Sequence, residues 1–237
     1  MTIKKSDQSP YVFQSKKQGL NFNIESRVPW TEKQQEFLRL VQSKECKLLF
    51  LKGVAGTGKT LLAVYAGLLA LKEKKVSDIV YVRSIVESAT RSMGALPGDC
   101  DEKTSLYLEP LMDKLEEVIG PEHAKNILSK KLVSGRPINF LRGCQFTGKF
   151  IIADEAQNFS MPEMITFLTR IGEFSKVIVC GDPSQSDIGR SSSFTQIYNL
   201  FDGDDSQKNG IFNFEFDEED IVRSAILKFI VKKIKEL

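Results

Sequence analysis

The chain has 237 residues, 41% hydrophobic and 27% charged, with 33 basic against 31 acidic side chains and a net charge of +2. That composition fits an ordinary globular protein and excludes a uniformly basic nucleic-acid binder, so any such contact must be a local patch. One histidine, His123, and four scattered cysteines without a CxxC pair argue against a zinc site and against Ser-His-Asp or Cys-His catalysis.

Residues 1–28 carry paired lysines at 4–5 and 16–17, with Tyr11, Phe13 and Phe22, and no apolar leader segment. They read as a polar arm, either solvated or touching nucleic acid or a neighbouring subunit. Residues 29–237 alternate apolar runs with helical patterns. "TEKQQEFLRLVQS" (31–43) predicts a helix capped by Thr31, "KLLFLKG" (47–53) a strand, and "TLLAVYAGLLALKEK" (60–74) an apolar helix. That apolar stretch is too short to span a bilayer, and no membrane partner is expected. "DIVYVR" (78–83) predicts a second strand, and "EKTSLYLEPLMDKLEEVIG" (102–120) one or two helices broken at Pro110. His123, in "GPEHAK", falls at a polar helix start. "PINFLRG" (137–143), "KFIIADE" (149–155) and "SKVIVCGD" (175–182) predict three more strands, with "MPEMITFLTRIGEF" (161–174) a helix between the last two. The acidic stretch 202–210 reads as an exposed connection, "GIFNFEF" (210–216) as a strand, and residues 217–237 as one amphipathic helix with an acidic first turn. Apolar strands alternating with helices predict an α/β fold, a mostly parallel sheet with helices on both faces.

Chemistry concentrates at three strand ends. Gly53-Val54-Ala55-Gly56-Thr57-Gly58-Lys59-Thr60 matches G-x-x-x-x-G-K-[ST], with the required strand before it and helix after it. Such a loop turns backbone N–H groups and a helix N-terminus toward phosphate. Lys59 would reach the β- and γ-phosphates, and Thr60 would ligate magnesium. "FIIADEAQN" (150–158) ends an apolar run in two acids, which buried strands avoid unless the acids have partners. Beside the phosphate loop, Asp154 suits the magnesium shell and Glu155 the attacking water. "VIVCGDPSQSDIG" (177–189) brings Asp182, Ser184 and Gln185, the last a candidate sensor of the γ-phosphate or water. Gln34 could read adenine through its two-sided amide, or be a surface glutamine.

With "TEKQ", "GVAGTGKT", "VRSIVES", "MGALPGD", "YLEPLMDKL", "FLRG", "FIIADEAQN", "FLTRIG", "VCGDPSQSDI" and "EDIVR" in that order, residues 28–235 resemble the PhoH-like family, single RecA-like P-loop domains related to the superfamily 1 helicase core. Family members commonly place a proline after the arginine where this chain has "VRS". The resemblance implies ATP binding and magnesium-dependent hydrolysis, with Lys59, Thr60, Asp154, Glu155, Gln185 and Gln34 in the roles above. It implies a bacterial or phage-encoded protein without a second motor domain, and the scattered cysteines suit reduced thiols in a cytoplasmic protein. An arginine finger would then come from an adjacent subunit of a homohexameric ring, with Arg223 favoured over Arg142, Arg170 and Arg190. Single-stranded RNA or DNA is the expected partner. Arg83, Ser84 and Arg91 suit phosphate contact or a subunit bridge. The competing reading is an ATP-gated ring with slow turnover and no nucleic acid. A small-molecule kinase fits poorly, because Asp154-Glu155 and Gln185 suit transfer to water.

Overall fold

The computed structural model describes residues 22–24, 29–84, 100–222 and 224–234, with backbone alone at 100–107. Six strands form one sheet among the described residues: β1 (Leu48–Gly53), β2 (Ile79–Arg83), β3 (Val133–Pro137), β4 (Phe150–Asp154), β5 (Lys176–Gly181) and β6 (Ile211–Phe216). Their order is β3-β2-β4-β5-β1-β6, and every neighbouring pair is parallel. This agrees with the RecA-like P-loop fold expected above.

Strand periodicity explains the layering, because successive side chains point to opposite faces. Leu49, Leu51, Ile79, Tyr81, Phe150, Ile152, Ile178 and Cys180 point to one core cluster. That face packs on α1 (Glu32–Gln42), α2 (Lys59–Lys72), α3 (Cys100–Ile119) and α4 (Pro121–Ser129). Leu48, Phe50, Val80, Val82, Ile151, Ala153, Val177 and Val179 point to the other cluster, under α5 (Met161–Leu168) and α6 (Phe194–Leu200). Two short helices follow, α7 (Asp204–Lys208) and α8 (Ala225–Ile234). Phe22 is buried in the first cluster and meets the His123 ring edge-on at 6.4 Å. Among the described residues no helix is long and apolar enough to cross a membrane.

Three expectations are corrected. Pro110 does not break its helix, since α3 runs through it. The interruption costs about 3 kcal/mol, whereas burying Leu111 and Leu115 completely returns about 1.5–3 kcal/mol each. The strand expected at 137–143 lies upstream as β3, and Ile138–Phe140 forms a 3₁₀ turn. Ile138 and Leu141 are both buried, and that i,i+3 spacing suits a turn rather than a strand. The acidic connection at 202–210 is mostly exposed, as expected, and carries the short α7. Residues 217–237 do not form one helix: Glu218–Asp220 is a 3₁₀ turn closed by an Asp217–Asp220 capping box, and α8 follows separately. The Val222 N–H donates to the Gly56 carbonyl at 3.3 Å instead of continuing a helical ladder.

Candidate nucleotide site

The turn after β1 is shaped by two left-handed glycines, Gly56 (φ 82°) and Gly58 (φ 79°), a conformation that other residues adopt only with strain. Gly58 is also the N-cap of α2, where no side chain caps the helix and the first turn holds no acid. By contrast α1 opens on a capping box, with Thr31 and Gln34 exchanging hydrogen bonds of 3.0 and 3.1 Å. The N–H groups opening α2 therefore meet no competing side-chain acceptor, and the positive helix end faces the loop. The Thr57 hydroxyl donates to the Val54 carbonyl at 2.9 Å and ties the loop across. The Lys59 ammonium donates to the carbonyls of Gly53 at 2.8 Å and Val54 at 3.0 Å, so it lies folded over the mouth of the loop.

β4 delivers Asp154 beside this loop. The residue is 4% exposed, and each carboxylate oxygen takes a hydroxyl donor: Thr60 to Oδ1 at 2.8 Å and Tyr81 to Oδ2 at 2.7 Å. Glu155 follows in the left-handed region at φ 51°, ψ 40°, a position that costs about 1–2 kcal/mol for a residue with a Cβ. This kink re-aims the chain as it leaves the sheet. Gln157 then spans two strand ends, its amide nitrogen donating to Glu155 Oε2 and its oxygen accepting the Asp182 N–H at 3.0 Å. Asp182 Oδ1 accepts from the Ser184 N–H at 3.0 Å and hydroxyl at 2.6 Å, while its buried Oδ2 has no partner. An unpaired buried carboxylate oxygen is costly, and it marks this end of β5 as a place for a further donor.

Gln185 is exposed on the turn after β5, and its carbonyl accepts from Gln157 at 3.4 Å. Gln34 is not a surface glutamine. It is fully buried, and its amide nitrogen donates to the carbonyls of Thr57 at 3.0 Å and Asp220 at 3.3 Å. Thr31 donates to Asp220 Oδ1 at 2.9 Å, so α1, the phosphate loop and the 217–222 segment are clasped together. Arg223, Arg91 and the "MGALPGD" stretch lie outside the described residues. Arg142 and Arg190 are exposed. Arg170 follows α5 with its Nε buried and unpaired.

Sequence reasoning missed Tyr81, Gln157 and the Asp220 clasp. Tyr81 carried the clearest signal: it is the sole hydroxyl in "IVYVR", and a buried tyrosine seeks a partner. No cluster of three or more His, Cys, Asp or Glu side chains suited to a metal ion occurs among the described residues. The Thr60–Asp154 pair nonetheless fits magnesium, which takes one or two protein oxygens and keeps several waters.

A family model described as PhoH-like protein matches residues 27–235. The PhoH-like protein of Bacillus subtilis (strain 168) is 37% identical over 201 residues, covering 84% of this chain and 61% of that protein. The PhoH-like protein of Mycobacterium tuberculosis (strain ATCC 25618 / H37Rv) is 36% identical over 206 residues, covering 86% of this chain and 56% of that protein. Protein PhoH of Escherichia coli (strain K12) is 36% identical over 199 residues, covering 82% and 54%. The chain thus spans less than two thirds of the length of each of these relatives. With the phosphate loop, the acidic strand end and the flanking sheet all in place, the chain belongs to the PhoH-like protein family.

Proposed function

We propose that this chain binds ATP with magnesium and hydrolyses it, driving a helicase-like action on nucleic acid, RNA in the first instance. The observation that carries this reading is the 2.8 Å hydrogen bond between Thr60 and Asp154. It brings the phosphate-loop hydroxyl and the acid ending β4, one strand beyond β5, to one point, where a magnesium ion needs both.

The backbone of Gly53 to Thr60 would cradle the phosphates, and Lys59 would exchange its two carbonyl acceptors for phosphate oxygens. Thr60 and Asp154 would hold magnesium, which when bound neutralises charge on the β- and γ-phosphates. Tyr81 keeps Asp154 oriented for that task. Glu155 would accept a proton from the attacking water, with Gln157 fixing its carboxylate. Gln185 would sense the γ-phosphate, and Gln34 would hold the adenine side of the loop. Arg223 of a neighbouring subunit in a homohexameric ring would supply the finger.

A second reading, an ATP-gated ring with slow turnover, is favoured by α8. Ile226, Phe229, Ile230 and Ile234 are exposed on that helix, while Leu227 packs at Gly56 of the phosphate loop. The test measures ATP turnover with and without single-stranded RNA at rising salt, with mass in solution. Turnover stimulated by RNA, the stimulation fading with salt, is the expected result. Nucleotide-dependent assembly with RNA-indifferent turnover would replace the first reading by the second.

A further inference from the structure

A cleft of about 300 Å³ lies between the turn after β3 and the start of α5, lined by Ile138, Asn139, Arg142, Pro162, Glu163 and Thr166. Phe140 sits on the same turn, between Asn139 and Arg142, and is 71% exposed. The ring is largely in water, on a turn whose neighbours Asn139 and Arg142 line the cleft. The cleft mixes apolar lining, Ile138 and Pro162, with the polar groups of Asn139, Arg142, Glu163 and Thr166. Arg142 and Asn139 are exposed. The Thr166 hydroxyl donates to the Pro162 carbonyl at 2.7 Å and keeps acceptor capacity. Glu163 is the one acid, and its Oε2 is already engaged by the Ser160 N–H at 2.9 Å and hydroxyl at 2.7 Å.

The position is as informative as the composition. All strands are parallel, so the turn after β3 opens at the same end of the sheet as the phosphate loop and Asp154. In register, Asp154 on β4 pairs with Arg83 on β2, and Arg83 with Pro137 on β3. A basic residue thus stands on the line from the nucleotide site to the cleft. An exposed aromatic ring on the turn that also carries Asn139 and Arg142, with the Thr166 hydroxyl in the same cleft, supplies the kinds of group that hold an unpaired base and its phosphate.

We infer that this cleft is a subsite for one unpaired base of single-stranded nucleic acid. Phe140 stacks on the base, Arg142 contacts a phosphate, and Asn139 and Thr166 meet the base edge. The inference rests on the nucleic-acid reading above. It is tested by fluorescence anisotropy with labelled 12-nucleotide single-stranded RNA and DNA of about that length, chosen to exceed one stacked base. Phe140→Ala and Phe140→Leu are expected to weaken binding about tenfold, and Phe140→Tyr to retain it. Arg142→Ala is expected to lower the slope of log K against log salt by about 0.7, and Phe140→Ala to leave that slope unchanged. An unchanged melting temperature shows that Phe140→Ala is folded. If wild type binds and all Phe140 variants bind equally, the subsite is overturned while the nucleic-acid reading stands. If wild type binds neither strand, both are overturned. If Phe140→Ala and Phe140→Asp instead shrink the mass in solution with binding intact, the ring covers a second copy of this chain and the inference is wrong. The RNA and DNA arms show which backbone the subsite prefers.

Discussion

At the residue scale, the Thr60–Asp154–Tyr81 chain is the centre of the site. Removing one hydroxyl by Tyr81→Phe leaves Asp154 Oδ2 buried without its 2.7 Å donor. The expected loss is about 1–3 kcal/mol of stability, read as a lower urea midpoint at unchanged m-value. The acids themselves were legible, because an apolar run ending in Asp-Glu has few structural uses. Tyr81 was not, because its partner lies 73 residues away and only the pairing of β2 with β4 brings them together. The cysteines give a second prediction. Burial pushes the Cys46 thiol up to about 11 and the Cys180 thiol well above its ordinary value, with the Asp154 carboxylate adding to the latter. In a Cys100→Ser background, a thiol reagent at pH 8 should label Cys144 in the native protein, and Cys46 and Cys180 only on unfolding. The sign for stability follows. The folded state keeps the Cys46 proton longer than the unfolded chain, so this contribution is complete below pH 9.0 and is lost as pH rises toward about 11. Denaturant melts between those limits should show the decline, smaller in Cys46→Ala.

At the scale of elements, the phosphate loop is held from three sides: by α1 through Gln34, by its own turn, and by the segment leading to α8. A Cβ at Gly56 would lie 2.4 Å from Leu227 Cδ2, and the backbone there is left-handed at φ 82°. Gly56→Ala should therefore destabilise by more than the conformational cost alone, which is about 1–2 kcal/mol. Adding Leu227→Ala should recover the steric part and leave the conformational part, so the pair is non-additive in melts of the four proteins. Strands with continuous apolar runs were legible, since burial on both faces forces that composition. The end of β3 and the split of the last helix were not. β3 ends where the buried Ile138 and Leu141 close a turn, and the helix split depends on tertiary hydrogen bonds, such as Val222 to Gly56 and Thr31 to Asp220, which local periodicity does not encode.

At the scale of the whole molecule, one parallel sheet places three polar strand ends side by side, and the strand order decides which residues meet. β1 lies between β5 and β6, and β4 between β2 and β5, so Gly53, Asp154 and Asp182 converge although 129 positions separate the first from the last in the sequence. The motifs named these residues without the order; the sheet supplies it. In the ring proposed above the finger comes from a neighbouring subunit, so turnover is expected to depend on assembly. Diluting the protein until its mass in solution falls should lower turnover per chain. The most direct test is steady-state ATP hydrolysis by wild type and Glu155→Gln, with nucleotide affinity measured alongside. A general base contributes about 10²–10⁴ in rate, so Glu155→Gln should lose turnover on that scale while binding ATP as wild type does. Equal turnover in the two proteins would contradict the account and remove Glu155 from the chemistry.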